Sequence, residues 1–248
     1  MVPQVCSHLD PGSLDCLSFP RAASFLTLRL PPEKGKYQLN FILASQSPRR
    51  RDILKQIGLT NLFIRPIDIE ESIFRGETPS GAVLRLSLEK ARHAALDASS
   101  DDVIIAADTI VYAGGDIIGK PRDRADAVRM LKLLSNSTHE VYTGLSVIFR
   151  GEESQCFEKT LVSFNLLTDE EISLYLETGE SFDKAGAYGI QAMGSLFVSV
   201  IEGNFYNVMG LPVAKLYSLL KQININLFNY CAPPGSSPIP QTFSSPAD

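Results

Sequence analysis

One nearly continuous apolar run constrains the fold of this chain more than any other feature. Residues 103–111 read VIIAADTIV, and only Asp108 and Thr109 interrupt the apolar character. A run with this composition predicts a strand that is buried on both faces, as in the centre of an α/β sheet. The sequence therefore predicts an α/β protein built around a central sheet.

Asp108 is the residue in this run that needs an explanation. A carboxylate inside such a strand is costly unless it is paired, bound to a metal or placed at a cleft. A buried aspartate that accepts hydrogen bonds from backbone donors is the structural alternative. Because Thr109 follows directly and the strand then continues apolar, we interpret the pair as a site at a break in the sheet.

A second strand leads into a helix start rich in cations. Residues 41–44, FILA, predict a buried strand, and Ser47 and Pro48 suit the N-cap and the first helical position. Arginines at 49–51 oppose the helix dipole. Amide groups, serine hydroxyls and guanidinium groups at one strand end favour an anion with several oxygens. A capped surface helix with solvated arginines is the alternative.

The remaining pattern alternates helices and strands. Strands are predicted at 62–69, 140–149, 157–166 and 197–202, with a hairpin around Gly114 and Gly115; helices are predicted from Pro48 to Gly58, from Thr78 to Asp97, from Asp123 to Leu134, after Thr168 and from Leu211 to Gln222.

A small-residue loop follows the fourth of these helices. Residues 183–191 read DKAGAYGIQ, and glycines in such a run suit a tight loop close to a ligand. The Gln191 amide both donates and accepts, so it can read the polar edge of a base. A purely structural loop is the alternative.

Composition excludes several classes of protein. A hydrophobic content of 44% with 21% charged residues is ordinary for a soluble globular protein, and a net charge of −5 argues against a nucleic-acid coat protein. The four cysteines and three histidines form no zinc pattern. No apolar run approaches the ~20 residues that span a bilayer. We expect a reduced, cytoplasmic protein without membrane or nucleic-acid partners.

The two ends of the chain differ from its middle. Residues 1–38 contain five prolines and no sustained period, which predicts a flexible N-terminal extension. A targeting leader is a weaker alternative, and a start codon assigned too far upstream explains the segment equally well. Residues 225–248 are rich in proline and serine and are predicted to be a disordered tail. The folded domain is predicted at 39–224.

Six short motifs follow one another along this middle region. They are SQSPRR at 45–50, IEE at 69–71, EKA at 89–91, ADT at 107–109, GKP at 119–121 and DKAGAYGIQ at 183–191. In this order they closely resemble the Maf family of nucleoside triphosphate pyrophosphatases. Gln46 replaces the family's usual glycine or alanine, and Glu70 stands where many members have aspartate. Neither difference removes a charge.

The resemblance implies a fold and a reaction. The fold would be α/β with a two-lobed mixed sheet around a central cleft, related to the inosine triphosphate pyrophosphatases. A nucleoside triphosphate would be hydrolysed to the monophosphate and pyrophosphate with a divalent cation, Mg²⁺ or Mn²⁺. The position of Asp108 is the family's catalytic base. Those of Arg49, Thr109 and Gln191 mark the branch that prefers dTTP and UTP.

Chemistry makes further roles plausible for the same motifs. Carboxylate oxygens are good ligands for Mg²⁺ or Mn²⁺, so we expect Glu70 and Asp108 to hold the metal, with Glu71 as an additional candidate. We expect Arg51 to be solvated. The residues expected to bind the phosphates are Ser45, Arg49, Arg50, Lys90 and Lys120.

Two other functions stay open from the sequence. The protein could be a nucleotide-binding regulator of cell division or septum formation with little turnover, since the resembling family is also linked to that process. It could also catalyse the same hydrolysis on 7-methyl-GTP or ITP. Modified pyrimidine nucleotides belong with dTTP and UTP as substrates in the main hypothesis. A homodimer would be unsurprising for a member of this family.

Overall fold

The computed structural model describes residues 39–232. The predicted extension at 1–38 and residues 233–248 of the predicted tail lie outside the described residues. The strands are β1 (Phe41–Leu43), β2 (Leu62–Ile64), β3 (Val103–Ala113), β4 (Asp116–Ile118), β5 (Thr138–Phe149), β6 (Glu152–Phe164) and β7 (Val198–Glu202). The helices are α1 (Pro48–Gln56), α2 (Pro79–Ala95), α3 (Arg124–Leu134), α4 (Asp169–Glu177), α5 (Phe205–Val208) and α6 (Val213–Gln222).

These strands form one mixed sheet of seven, which confirms the predicted α/β class. The strand order is β2-β1-β3-β5-β6-β7, and β4 pairs with β3 outside this path. β1 runs parallel to both β2 and β3. The pairs that β3 forms with β4 and β5, and that β6 forms with β5 and β7, are antiparallel. The predicted apolar run is thus the central strand β3.

The sheet opens along one side of β3. On one side β3 pairs with β5 from Ile104 to Tyr112. On the other side it pairs with β1 over 103–105 and with β4 over 111–113. Between these two partners, residues 106–110 have no strand on that side within the part of the chain that the structure describes. This gap contains Asp108 and Thr109, where the sequence predicts a break in the sheet.

Two large apolar clusters form the two lobes, and residues of both line the cleft between them. The first packs α1 and α6 against β1 and β3, and the second packs α3 and α4 against β6 and the end of β3. Ile190 of the first and Val111 of the second both face the cleft. The two-lobed arrangement predicted from the sequence is therefore present.

Helix α2 packs directly against the backbone of β5 at Gly144, which has no side chain. A Cβ atom at this position would lie 2.2 Å from the carbonyl oxygen of Val83 in α2. Thr78 caps the helix, since its hydroxyl accepts a hydrogen bond from the amide of Gly81 at 3.2 Å. This packing fixes the face of α2 that carries Lys90. In the described part of the chain, no helix is long and apolar enough to cross a membrane.

Several predicted boundaries differ from the structure, among them the strand predicted at 157–166, which is β6 at Glu152–Phe164. The strand predicted at 62–69 is wrong beyond Ile64, and residues 65–78 form a segment without helix or strand. Pro66 lies at the start of this segment and has no N–H to donate to a neighbouring strand. The domain end predicted at 224 falls inside packed structure, because Ile225 and Leu227 are buried in the first cluster.

Candidate active site

A cleft of about 440 Å³ lies at the gap beside β3. Its walls come from the start of α1, the 65–78 segment, α2, the 183–191 loop and residues 208–210. The volume lies within the range of roughly 300–1,000 Å³ typical of ligand pockets. The predicted site residues that line it are Ser45, Arg49, Arg50, Lys90, Asp108, Thr109 and Lys120. The chain therefore folds most of its predicted site into one cavity.

Asp108 is a buried carboxylate in the middle of the cleft. Its Oδ1 atom accepts a hydrogen bond from the ammonium group of Lys90, a residue of α2 that faces the sheet. Burial raises the pKa of Asp108 above its ordinary value, although the charges of Lys90 and Arg50 oppose this rise. A carboxylate with increased basicity is suited to accept a proton from water.

Glu71 joins two lysines at the same end of the cleft. Lys90 Nζ donates to Glu71 Oε1 at 2.6 Å, and Lys120 Nζ donates to Glu71 Oε2 at 2.9 Å. Burial opposes ionisation of Glu71, but the hydrogen bonds and charges of Lys90 and Lys120 outweigh it and lower the pKa to about 2. Glu71 is therefore ionised at neutral pH and neutralises part of the positive charge.

The two carboxylates provide a donor set that fits a divalent cation. Glu71 and Asp108 both direct an oxygen atom at one cationic atom, Lys90 Nζ. Within residues 39–232 no group of three or more carboxyl, imidazole or thiol side chains could form a complete metal site by itself. Mg²⁺ is commonly held by one or two carboxylates together with substrate phosphates, and this pair matches that pattern.

Arg50 lines the cleft, and its guanidinium group donates hydrogen bonds to three other residues of the protein. Its Nε donates to the carbonyl oxygen of Gly210 at 2.7 Å, Nη1 donates to Ser45 Oγ at 3.1 Å and Nη2 donates to Thr109 Oγ1 at 2.9 Å. Gly210 has a φ of 101°, and a Cβ atom there would lie 3.2 Å from Thr109 Oγ1. Arg50 thus ties α1 to β3 and to the 208–210 wall.

The other two arginines of the triplet are more exposed. The Arg49 side chain is 26% exposed, and its Nη1 lies 3.7 Å from Asp183 Oδ2 across the cleft. This long contact leaves Arg49 available for an anionic ligand. Arg51 is 41% exposed and pairs with Asp52, so it is solvated as predicted. Ser47 occupies the N-cap position of α1, but its hydroxyl makes no capping hydrogen bond.

Two predicted site residues do not line the cleft in this structure. Glu70 is exposed, and its Oε1 accepts a hydrogen bond from Ser72 Oγ at 2.6 Å. Gln191 is also exposed and lies at the start of a short 3₁₀ segment, Ala192–Phe197. Their roles in metal binding and base selection stay predictions.

Sequence reasoning missed several residues that shape the cavity. Tyr188 and Gly210 line the cleft. The buried residues Thr143 and Asn207 continue the hydrogen bonds of Thr109 into the protein. Tyr188 lies inside the motif DKAGAYGIQ, and this motif was the sequence signal that could have identified it as a cleft residue. Thr143 is an unremarkable threonine in a strand, and nothing in the sequence marks it.

The gapped mixed sheet, and the cleft in which cationic side chains surround a buried carboxylate, define an α/β protein whose site suits an anionic ligand. The family profile described as Maf-like protein matches residues 40–223. This chain belongs to the Maf family.

Proteins with similar sequences align with 74–79% of this chain. The dTTP/UTP pyrophosphatase of Bacillus cereus is 44% identical over 195 residues, which cover 79% of this chain and 95% of that relative. The protein of the same name from Caldanaerobacter subterraneus is 47% identical over 186 residues, covering 74% of this chain and 89% of the relative.

Similarity to solved structures is much weaker. A dITP/XTP pyrophosphatase from Mycobacterium abscessus matches 51% of this chain and 73% of its own, with a TM-score of 0.32 and 15% identity. A HAM1 protein from Coxiella burnetii matches the same fractions with a TM-score of 0.36 and 17% identity.

Proposed function

We propose that this protein is a nucleoside triphosphate pyrophosphatase that hydrolyses dTTP and UTP to the monophosphate and pyrophosphate. The observation that carries the proposal is the buried carboxylate of Asp108, held at the open side of β3 in a cleft with five cationic side chains. The substrates are proposed because relatives 44–47% identical bear the name dTTP/UTP pyrophosphatase. The proposed substrate class extends to modified pyrimidine nucleotides.

Asp108 would act as the general base. It accepts a proton from a water molecule whose oxygen attacks the α-phosphorus, and its raised pKa favours this transfer. A bond forms between the water oxygen and the α-phosphorus, and the bond from that phosphorus to the α,β-bridging oxygen breaks. The electron pair leaves with pyrophosphate, so the products are the monophosphate and pyrophosphate.

The cations of the cleft would stabilise the charge that moves onto pyrophosphate. Lys90 and Lys120 both line the cleft and donate hydrogen bonds to the carboxylate oxygens of Glu71. Arg49 faces the same cavity with only a long contact to Asp183. Fixed cations in a partly buried cleft stabilise such a charge better than water does. Ser45 and Arg50 would support this cradle from below.

Glu71 and Asp108 are the described residues that best fit a bound Mg²⁺ or Mn²⁺. When bound, such an ion would neutralise phosphate charge and lower the pKa of water. Glu70, the ligand predicted from the sequence, is adjacent to Glu71 on the 65–78 segment but faces solvent. We retain Glu70 as a prediction that an alanine substitution can test beside Glu71.

The test is a pyrophosphate-release screen over canonical and modified nucleotides with Mg²⁺ or Mn²⁺ added. We expect release from dTTP and UTP, and a loss of roughly 10²–10⁴-fold in kcat for Asp108→Asn. The control is Asp97→Asn, a change at an exposed aspartate after α2. Release from no nucleotide, or equal rates for wild type and Asp108→Asn, would overturn the proposal. Tight dTTP binding without hydrolysis would favour the nucleotide-binding regulator instead.

Several finer expectations accompany this proposal. The homodimer, the cytoplasmic location and the absence of nucleic-acid binding stay predictions. The domain limits at 39 and 224 do so as well: the family match covers 40–223, whereas buried residues of the first cluster continue beyond 224.

A further inference from the structure

We infer that Thr143, a buried residue of β5, is a specificity-determining positioning residue. It orients the hydroxyl of Thr109 so that this hydroxyl can only accept a hydrogen bond from the substrate. The acceptor would read the N3–H of uracil or thymine and disfavour cytosine. This inference rests on the proposed pyrimidine nucleotide pyrophosphatase activity.

The direction of each hydrogen bond follows from the donors and acceptors present. Thr143 Oγ1 lies 2.9 Å from the carbonyl oxygen of Asn207, which can only accept, so the one hydroxyl hydrogen of Thr143 is used there. Thr109 Oγ1 lies 2.9 Å from Thr143 Oγ1. Because Thr143 has no second hydrogen, Thr109 must be the donor in this contact.

One of the two lone pairs of Thr109 Oγ1 also has a partner within the protein. Arg50 Nη2 donates to Thr109 Oγ1 at 2.9 Å, and a guanidinium cannot accept. The oxygen has two lone pairs, so one remains for a ligand. Thr109 is part-buried and lines the cleft, whereas Thr143 is fully buried. Thr109 therefore offers the cleft one acceptor and no donor.

Because Thr109 can only accept a hydrogen bond from the substrate, the substrate group next to it must be a donor. Phosphate oxygens are acceptors and are repelled by such an oxygen. Beyond Thr109 the cleft is lined by apolar side chains that suit a base better than a phosphate: Val111, Val141, Val208 and Met209. Uracil and thymine carry a hydrogen on N3, whereas N3 of cytosine is an acceptor. UTP and CTP share the same sugar and phosphates, so this base edge separates them.

The test compares kcat/KM for UTP and CTP in wild type, Thr143→Val and Thr143→Ser. Valine keeps the volume of Thr143 but removes the acceptor, so the Thr109 hydroxyl is free to donate to cytosine N3. We expect the CTP/UTP ratio of Thr143→Val to rise by roughly tenfold, as for one neutral hydrogen bond. Thr143→Ser keeps the hydroxyl, and the wild-type ratio is expected. A thermal melt of each variant accompanies the kinetics.

A merely structural role for Thr143 predicts a different result. It would lower the rates on UTP and CTP together and leave their ratio unchanged, and that result overturns the inference. If Thr143→Val does not fold, 3-methyl-UTP decides with the wild-type protein. A loss of roughly tenfold or more against UTP supports the reading of N3–H, and equal rates overturn it. Wild-type protein inactive on UTP and dTTP would instead refute the proposed function itself.

Discussion

Replacing Lys90 with methionine tests how the fold supports the buried carboxylate of Asp108. The side chains of Lys90 and Asp108 are each 7% exposed and form a close ion pair. Removing one partner of a buried pair costs about 3–5 kcal/mol, since the remaining charge is left buried and unpaired. Domain stabilities are roughly 5–15 kcal/mol, so we expect a large loss in Lys90→Met at neutral pH. Glu71 adds less, because it keeps Lys120 and is 38% exposed.

The same variant should show a specific pH dependence. Burial already raises the pKa of Asp108, and Lys90 is the strongest group opposing that rise. Without Lys90 the folded-state pKa rises further above the unfolded value. Such a group contributes stability below its unfolded pKa and loses that contribution as the pH rises through its folded pKa. The difference in unfolding free energy between wild type and Lys90→Met should therefore shrink as the pH falls toward 3.8, the ordinary pKa of an aspartate.

Urea unfolding followed by far-UV circular dichroism measures this effect, because the chain contains no tryptophan. The double variant Lys90→Met with Asp108→Asn should be more stable than Lys90→Met alone, since it buries no unpaired charge. The control is Lys132→Met, which removes an exposed pair with Asp169 and should change stability by at most about 1 kcal/mol. The reasoning is refuted if Lys90→Met matches this control, or if the double variant is no more stable than Lys90→Met.

Two further predictions concern the interior. Burial lowers the pKa of His139 from 6.5 to about 4, so the unfolded chain binds its proton first as the pH falls. Between pH 6.5 and about 4, the free energy of unfolding of the wild type should therefore fall by up to about 3 kcal/mol more than that of His139→Gln. Equal losses for the two proteins in urea titrations would contradict this. Gly144→Ala should cost about 1–3 kcal/mol through its clash with Val83, whereas Gly119→Ala, with open space around it, should melt near wild type.

The parts of the fold predicted from the sequence are those that depend on local chemistry. β3 was predicted because its apolar run is long and β-branched. The start of α2 was predicted because Thr78 and Pro79 are a cap and a first helical residue, and both occupy those positions. Such signals lie within a few neighbouring residues, and no long-range contact is needed to interpret them.

Which of Glu70 and Glu71 lines the cleft could not be obtained in this way. In a regular strand, alternation would decide which of Glu70 and Glu71 faces the cleft. The strand ends before Pro66, so alternation does not apply, and contacts with Lys90 and Lys120 turn Glu71 inward. Thr143 was missed for a related reason. Its hydrogen bonds join β3, β5 and α5, and only the folded chain brings these elements together.

The gap beside β3 also bears on how the sheet avoids adding a strand from another chain. Residues 106–110 form a sheet edge in the middle of the molecule, and unpaired edges are templates on which other chains can add a strand. Here α1, the 65–78 segment and the 183–191 loop enclose that edge. Asp108 adds an inward-pointing charge, which is a known device against strand addition. The carboxylate proposed as the base therefore also protects the strand edge that the cleft leaves open for its ligand.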